Sequence, residues 1–150
     1  MITVRKAARE DIELLTALRV EMLAVVNNVG EDGISAELRD GSRRYFTEGD
    51  HVTALAFDGK EPVGCATICF INVMPTFSHP AGLRAHIMNV YTRAEHRRKG
   101  AARKMMTLLL DEAKARGASY ISLDATESGR PLYEALGFAP SEESMGLVLS

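Results

Sequence analysis

The sequence predicts an α+β domain with about six to seven strands and about four helices. Three observations carry that expectation. Short apolar or alternating runs, at residues 2–5, 52–57 and 63–71, are interspersed with segments of helical period. The pair Asp58-Gly59 joins two of those runs as a hairpin turn would. A long amphipathic segment, residues 99–116, stops at Gly117, the usual position for a left-handed C-terminal residue.

Each element has its own local reason. Residues 2–5 alternate apolar and polar positions as a half-buried strand does, and Leu14, Leu15, Leu18, Met22, Val25 and Val26 then follow at helical spacing. Residues 27–33 break the pattern, and 34–46 read as a weaker helix with Leu38, Tyr45 and Phe46 inward. Two prolines and a glycine make 74–82 a loop of the kind that shapes binding sites. Residues 84–92 read as a strand. The helix over 99–116 places Ala102, Met105, Met106, Leu109 and Ala113 on one face, and 120–125 form the next strand. Ser128 is an N-cap for a short helix through Leu136, with Pro131 in its first turn and Gly137 at its end. Residues 145–149 supply a last strand.

At 150 residues, 46% apolar and 25% charged, residues 1–150 fit one domain with a buried core. The apolar runs are too short to span a bilayer and the first residues lack a signal-peptide core, so a cytoplasmic protein without a membrane partner is expected. Cys65 and Cys69 share a strand face but lie about 13 Å apart, too far for a disulfide. No metal is expected, because His51, His79, His86 and His96 are scattered without ligand spacing.

Charge is concentrated at one place. Between Arg93 and Lys104 six basic residues face only Glu95, in a chain of net charge −2. A locally positive field in an acidic chain favours a small phosphorylated ligand over a nucleic acid. Within it, Arg97, Arg98, Lys99, Gly100, Ala101, Ala102 and Arg103 lead into the helix. Helix N-terminal N–H groups lack intrahelical partners, and Gly100 and Ala102 let an anion approach the backbone closely. A Walker-type Gly-x-x-x-x-Gly-Lys-Ser/Thr arrangement is absent, which disfavours a nucleoside triphosphate.

The spacing Arg97-x-x-Gly100-x-Ala102 resembles the phosphate-binding signature of the GNAT-type N-acetyltransferases. Downstream, Tyr133-Glu134-Ala135-Leu136-Gly137-Phe138 is similar to the same family's Tyr-Glu-x-Leu-Gly-Phe segment. The resemblance is strong from about residue 89 to residue 138 and weak before it. It implies a three-layer fold with a mixed, mostly antiparallel central sheet, and acetyl-CoA as cosubstrate. N–H groups from Arg98 to Arg103 would then hold the pyrophosphate, with Arg93, Arg97 or Lys104 at the 3′-phosphate. The pantetheine would lie along Val90, Tyr91 and Thr92, with the Val90 N–H facing the thioester oxygen. Tyr133 would be the general acid for the leaving thiolate.

Some members of the family place a Glu or His four residues before the oxyanion N–H, which here is His86. A period of two puts residues 86, 88 and 90 on one strand face. Proton removal through water by Asp124 or Glu127 is the alternative. Thr126 stands where many members have a pantetheine-binding Asn, so that contact is lost or passes to Ser128. Ala94 stands where Pro is frequent.

The implied activity is acetyl transfer to the amine of a small molecule or peptide by direct attack in a ternary complex. The alternative is a non-catalytic acyl-CoA-binding sensor or interaction module that works through loop 74–82. Glu21, Glu31 and Asp32 are the acidic residues that would attract a cationic acceptor. A homodimer is left open.

Overall fold

The alternating N-terminal segment forms β1 (Ile2–Lys6), with Ile2 buried and Thr3 exposed. After a 3-10 turn, α1 (Ile12–Asn27) ends where Asn28 takes a φ of 54° and returns its N–H to Ala24 and Val25. Ser35 starts α2 (Ala36–Glu48) by accepting the Leu38 N–H at 3.1 Å. Strands β2 (His51–Asp58) and β3 (Glu61–Asn72) form the expected hairpin, with Gly59 at a φ of 62°. They are followed by β4 (Leu83–Thr92), α3 (Ala101–Arg116), β5 (Tyr120–Leu123) and α4 (Arg130–Ala135). The computed structural model describes residues 1–141 and 143–150.

The strands form one sheet in the order β1-β2-β3-β4-β5, antiparallel except for the parallel pair β4–β5 that α3 connects. One face carries Ile68, Ile87, Met105, Met106, Leu109 and Tyr133 in a core shared with α3 and α4. The other carries Leu55, Cys65 and Tyr91, covered by Leu15, Leu18 and Met22 of α1. Helices on both faces give the three layers expected. Met105, Met106 and Leu109 are fully buried, each worth roughly 1.5–3 kcal/mol of transfer free energy. Among the described residues no helix is long and apolar enough to cross a membrane.

Three expectations are corrected. The sheet has five strands among the described residues, not six to seven. Residues 145–149 form no strand, and Met145, Leu147, Val148 and Leu149 are 95%, 85%, 88% and 82% exposed. An apolar run becomes a strand only where a neighbour supplies its hydrogen-bond ladder, and among the described residues this run has none. Leu38 and Tyr45 of α2 are not inward either. They are 41% and 37% exposed and only Phe46 of the three is buried, because the α2 face they share looks onto a cavity, not onto the core.

The feature that positions the site is a bulge in β4. Pairing with β3 runs through Cys69↔His86 and Thr67↔Met88 and resumes at Cys65↔Tyr91, which leaves Asn89 and Val90 opposite Ala66. Asn89 takes the extra turn at a φ of 62°. Pairing of β4 with β5 ends at Ile87↔Leu123. Beyond that point the two strands separate, and the last five residues of β4 have no partner on that edge among the described residues.

Candidate active site

Two depressions border this part of the sheet. On the α1/α2 side is a cavity of about 790 Å³, whose lining includes Arg19, Tyr45, Phe70, His86, Met88 and Asn89. On the other side a depression of about 960 Å³ takes in His79, Ser122, Asp124, Tyr133 and Phe138.

His86 and Val90 do not share a face. The bulge adds one residue to the alternation, so His86 and Met88 line the α1/α2 cavity while Val90 packs against the α3-side core. His86 stands at the boundary between the two depressions. Its Nδ1 lies 2.7 Å from the Ser122 hydroxyl on β5, and its Nε2 lies 3.9 Å from Asp124 Oδ2.

Tyr91 and Thr92 continue β4, and the Tyr91 side chain and the Thr92 main-chain carbonyl are both engaged within the protein. The Tyr91 hydroxyl donates to Glu21 at 2.8 Å, and burial together with that carboxylate pushes its phenol up to about 12. The Thr92 carbonyl accepts Arg97 Nε at 3.0 Å. Arg93 donates to both Glu21 oxygens at 2.9 Å and to the Pro62 carbonyl at 2.8 Å. These bonds hold the Glu21 carboxyl below the usual carboxylate range. Glu21 is thus a brace between α1 and the end of β4, not a free acid for an acceptor amine. Arg93 and Lys104, whose Nζ donates to the Ile2 carbonyl at 2.8 Å, are occupied in the same way. Of the three cations considered for a 3′-phosphate, Arg97 alone keeps its terminal guanidinium nitrogens unbonded among the described residues.

The turn before α3 has the backbone of an anion nest. Arg98 takes a φ of 62° and Gly100 a φ of 85°. None of the N–H groups from Arg98 to Arg103 has an acceptor among the described residues. Arg98, Lys99 and Arg103 are exposed around it, and Ala101 is buried beneath.

Tyr133 is 9% exposed, its ring edge-on to Phe138 at 6.2 Å between centroids. Burial raises its phenol, so it keeps its proton at neutral pH. Ser128 is exposed and does not cap α4. Thr126 Oγ1 accepts the Gly129 N–H at 3.1 Å instead, because its hydroxyl reaches back into the turn first. Ser128 Oγ lies 3.3 Å from that same hydroxyl.

Two residues at this site lie outside the motifs. Asn89 is a polar residue at positive φ inside a strand, and Asn is otherwise rare in strands. Arg19 occupies a position on the apolar stripe of α1, between Leu15 and Met22. Each break in pattern was the available signal.

Comparison with known proteins bears on these features. A sequence model described as the acetyltransferase (GNAT) family matches residues 22–138. The uncharacterized N-acetyltransferase YsnE of Bacillus subtilis (strain 168) is 30% identical over 88 residues, which cover 55% of this chain and 52% of that protein. The match thus spans about half the length of that curated relative. A predicted acetyltransferase of Clostridium acetobutylicum, solved with acetyl-CoA, superposes with a TM-score of 0.86 at 30% identity over 99% of this chain and 96% of that one. A GCN5-related N-acetyltransferase of Ralstonia eutropha superposes with a TM-score of 0.80 at 25% identity over 99% of each chain.

Proposed function

The chain belongs to the acetyltransferase (GNAT) family, and from that premise we propose that it transfers the acetyl group of acetyl-CoA to an amine by direct attack in a ternary complex. The observation that carries this reading is the opening between β4 and β5, with an unpartnered N–H nest and Tyr133 on one side and a cavity reaching His86 on the other. Acetyl-CoA would bring its pyrophosphate to the nest and lay its pantetheine along the free edge of β4. The acceptor would enter from the α1/α2 side.

The acceptor ammonium gives a proton to His86, oriented by Ser122, and the freed amine nitrogen attacks the thioester carbonyl carbon. Negative charge gathers on the carbonyl oxygen, where the Val90 N–H is the proposed donor, a contribution of about 3 kcal/mol for one such group. The carbon–sulfur bond then breaks, and the thiolate takes a proton from Tyr133. The nitrogen's second proton restores Tyr133 and His86 gives its own to solvent, so the products are the acetylated amine, free CoA and one proton.

Incubation with acetyl-CoA and a panel of amines, with mass detection of acetylated products, tests the reading. Acetyl-CoA binding without any acetylated product would favour a non-catalytic acyl-CoA-binding module. Loop residues Met74 and Phe77, 84% and 105% exposed, would then be the surface to examine.

His86→Ala is expected to lower turnover at pH 7 and to recover partly as pH rises, because the acceptor is then already deprotonated. A pH–rate profile that overlays the parent's would remove His86 from the mechanism and leave Asp124 or Glu127 acting through water.

A further inference from the structure

The α1/α2 cavity has a composition that its position alone does not require. Leu38, Ile71 and Met88 line it while remaining 41%, 46% and 43% exposed, so a sizeable apolar surface is left uncovered there. Set into that surface is one half-buried cation, Arg19.

The Arg19 guanidinium makes a single side-chain hydrogen bond among the described residues, from Nη1 to the neutral Asn89 Oδ1 at 3.3 Å. No carboxylate among the described residues is paired with it. Asp50, which also borders the cavity, is held by Arg116 at 2.9 Å through both oxygens. Glu37 is exposed on the rim, and Glu21 is taken by Arg93 and Tyr91. Burial holds the guanidinium below its ordinary value. An arginine stays charged under these conditions and presents a planar fork of donors. An unpaired fork in an apolar cavity matches an anion attached to an apolar body.

Asn89 ties this cation to the reacting end of the site. Its amide nitrogen donates to Thr67 Oγ1 at 3.2 Å, and that hydroxyl meets Thr53 Oγ1 at 2.9 Å, so Asn89 is held from below while it holds Arg19. It also immediately precedes Val90. The cavity that contains Arg19 contains His86 as well.

We propose that the acceptor is an amine bearing a carboxylate on an apolar body, with the carboxylate on Arg19, the body against Leu38, Ile71 and Met88, and the amine toward His86. This rests on the acetyl-transfer reading for the amine, but the carboxylate site is testable without turnover. A carboxylate is favoured over a phosphate because the surrounding walls are apolar and hold no second cation among the described residues lining the cavity.

The experiment uses matched pairs. Calorimetry on the CoA-loaded protein compares N-acetyl-leucine with N-acetyl-isopentylamine and N-acetyl-phenylalanine with N-acetyl-phenethylamine, members of each pair differing only by the carboxylate. At least one pair is expected to show a preference of about tenfold to a hundredfold for the carboxylate member, the range for a hydrogen bond to a charged group. In Arg19→Met that ratio is expected to fall toward one, and in Arg19→Lys to be partly kept. A purely structural Arg19 would leave the ratio unchanged. Equal binding within both pairs by the parent protein overturns the proposal, and needs no variant to fold. So does a preference that survives in Arg19→Met.

Turnover of the corresponding free amines, with O-phosphoethanolamine alongside, separates the two readings. Selective carboxylate binding with no acetylated amine sinks acetyl transfer and leaves the Arg19 site standing. Faster acetylation of isopentylamine and phenethylamine than of leucine and phenylalanine, or of O-phosphoethanolamine than of either, sinks the carboxylate proposal and leaves acetyl transfer standing.

Discussion

Tyr133→Phe is expected to lower turnover by at least about tenfold while acetyl-CoA binding stays near normal. The ring packs edge-on to Phe138 and belongs to the α3-side core, so a phenylalanine keeps the packing that holds α4 in place. Only the hydroxyl is lost, and that hydroxyl has no protein partner among the described residues. Its removal therefore leaves no buried group unsatisfied, and melting should shift little. What changes is the leaving group. A departing thiolate without a proton donor is a poorer one, and general-acid contributions are typically about 10²-fold to 10⁴-fold. The measurement is single-turnover rate with saturating acetyl-CoA, so that product release does not mask the chemical step. Full turnover in Tyr133→Phe would make Tyr133 a packing residue and leave the acid unidentified.

The second large effect is expected at Gly100, where Gly100→Leu should raise the Michaelis constant for acetyl-CoA at least about tenfold. At a φ of 85° a side-chain-bearing residue is strained, by roughly 1–2 kcal/mol. A Cβ at this position would meet nothing within 4 Å, so no protein atom is displaced and the cost stays in the turn. The melting temperature should fall by only a few degrees. The consequence for the ligand is larger, because the nest depends on this backbone and each charge-assisted hydrogen bond lost is worth about 1.5–3 kcal/mol. Gly100→Asn separates strain from bulk, since Asn tolerates the left-handed region and has a short side chain. It should bind acetyl-CoA more tightly than the leucine variant. Unchanged CoA affinity in Gly100→Leu by calorimetry would sink the assignment of the nest.

The parts of the site legible in the sequence are those made by residues close together along it. The nest needs only Arg98, Gly100 and the start of α3, and its bases and small residues stand in one stretch. Tyr133 sits in a six-residue motif whose Gly137 and Phe138 close the same short helix. The hairpin at Gly59 and the stop at Gly117 are likewise settled by one or two residues with positive φ. The two faces of the sheet could be anticipated from periodicity, as Cys65 and Cys69 on the α1 side illustrate.

Where a residue's role depends on a partner far along the chain, local pattern carried no information. Arg93 and Lys104 have the composition of phosphate ligands, yet one is paired across 72 residues and the other across 102. The run at 145–149 has the composition of a strand but no neighbour to pair with among the described residues.

Sequence alone determined the α+β class, the hairpin, the helix stops, the N–H nest and the place of Tyr133, because backbone propensity, glycine freedom and short motifs act within a few residues. Tertiary structure decided the number of strands, the occupied cations, and which face of β4 meets which cavity. The last turns on one extra residue at Asn89, opposite Ala66 of β3, which sends His86 and Val90 to opposite sides of the sheet. Strand register is a property of the pair, and a period of two inverts with a single inserted residue, so no pattern within β4 by itself could place those side chains.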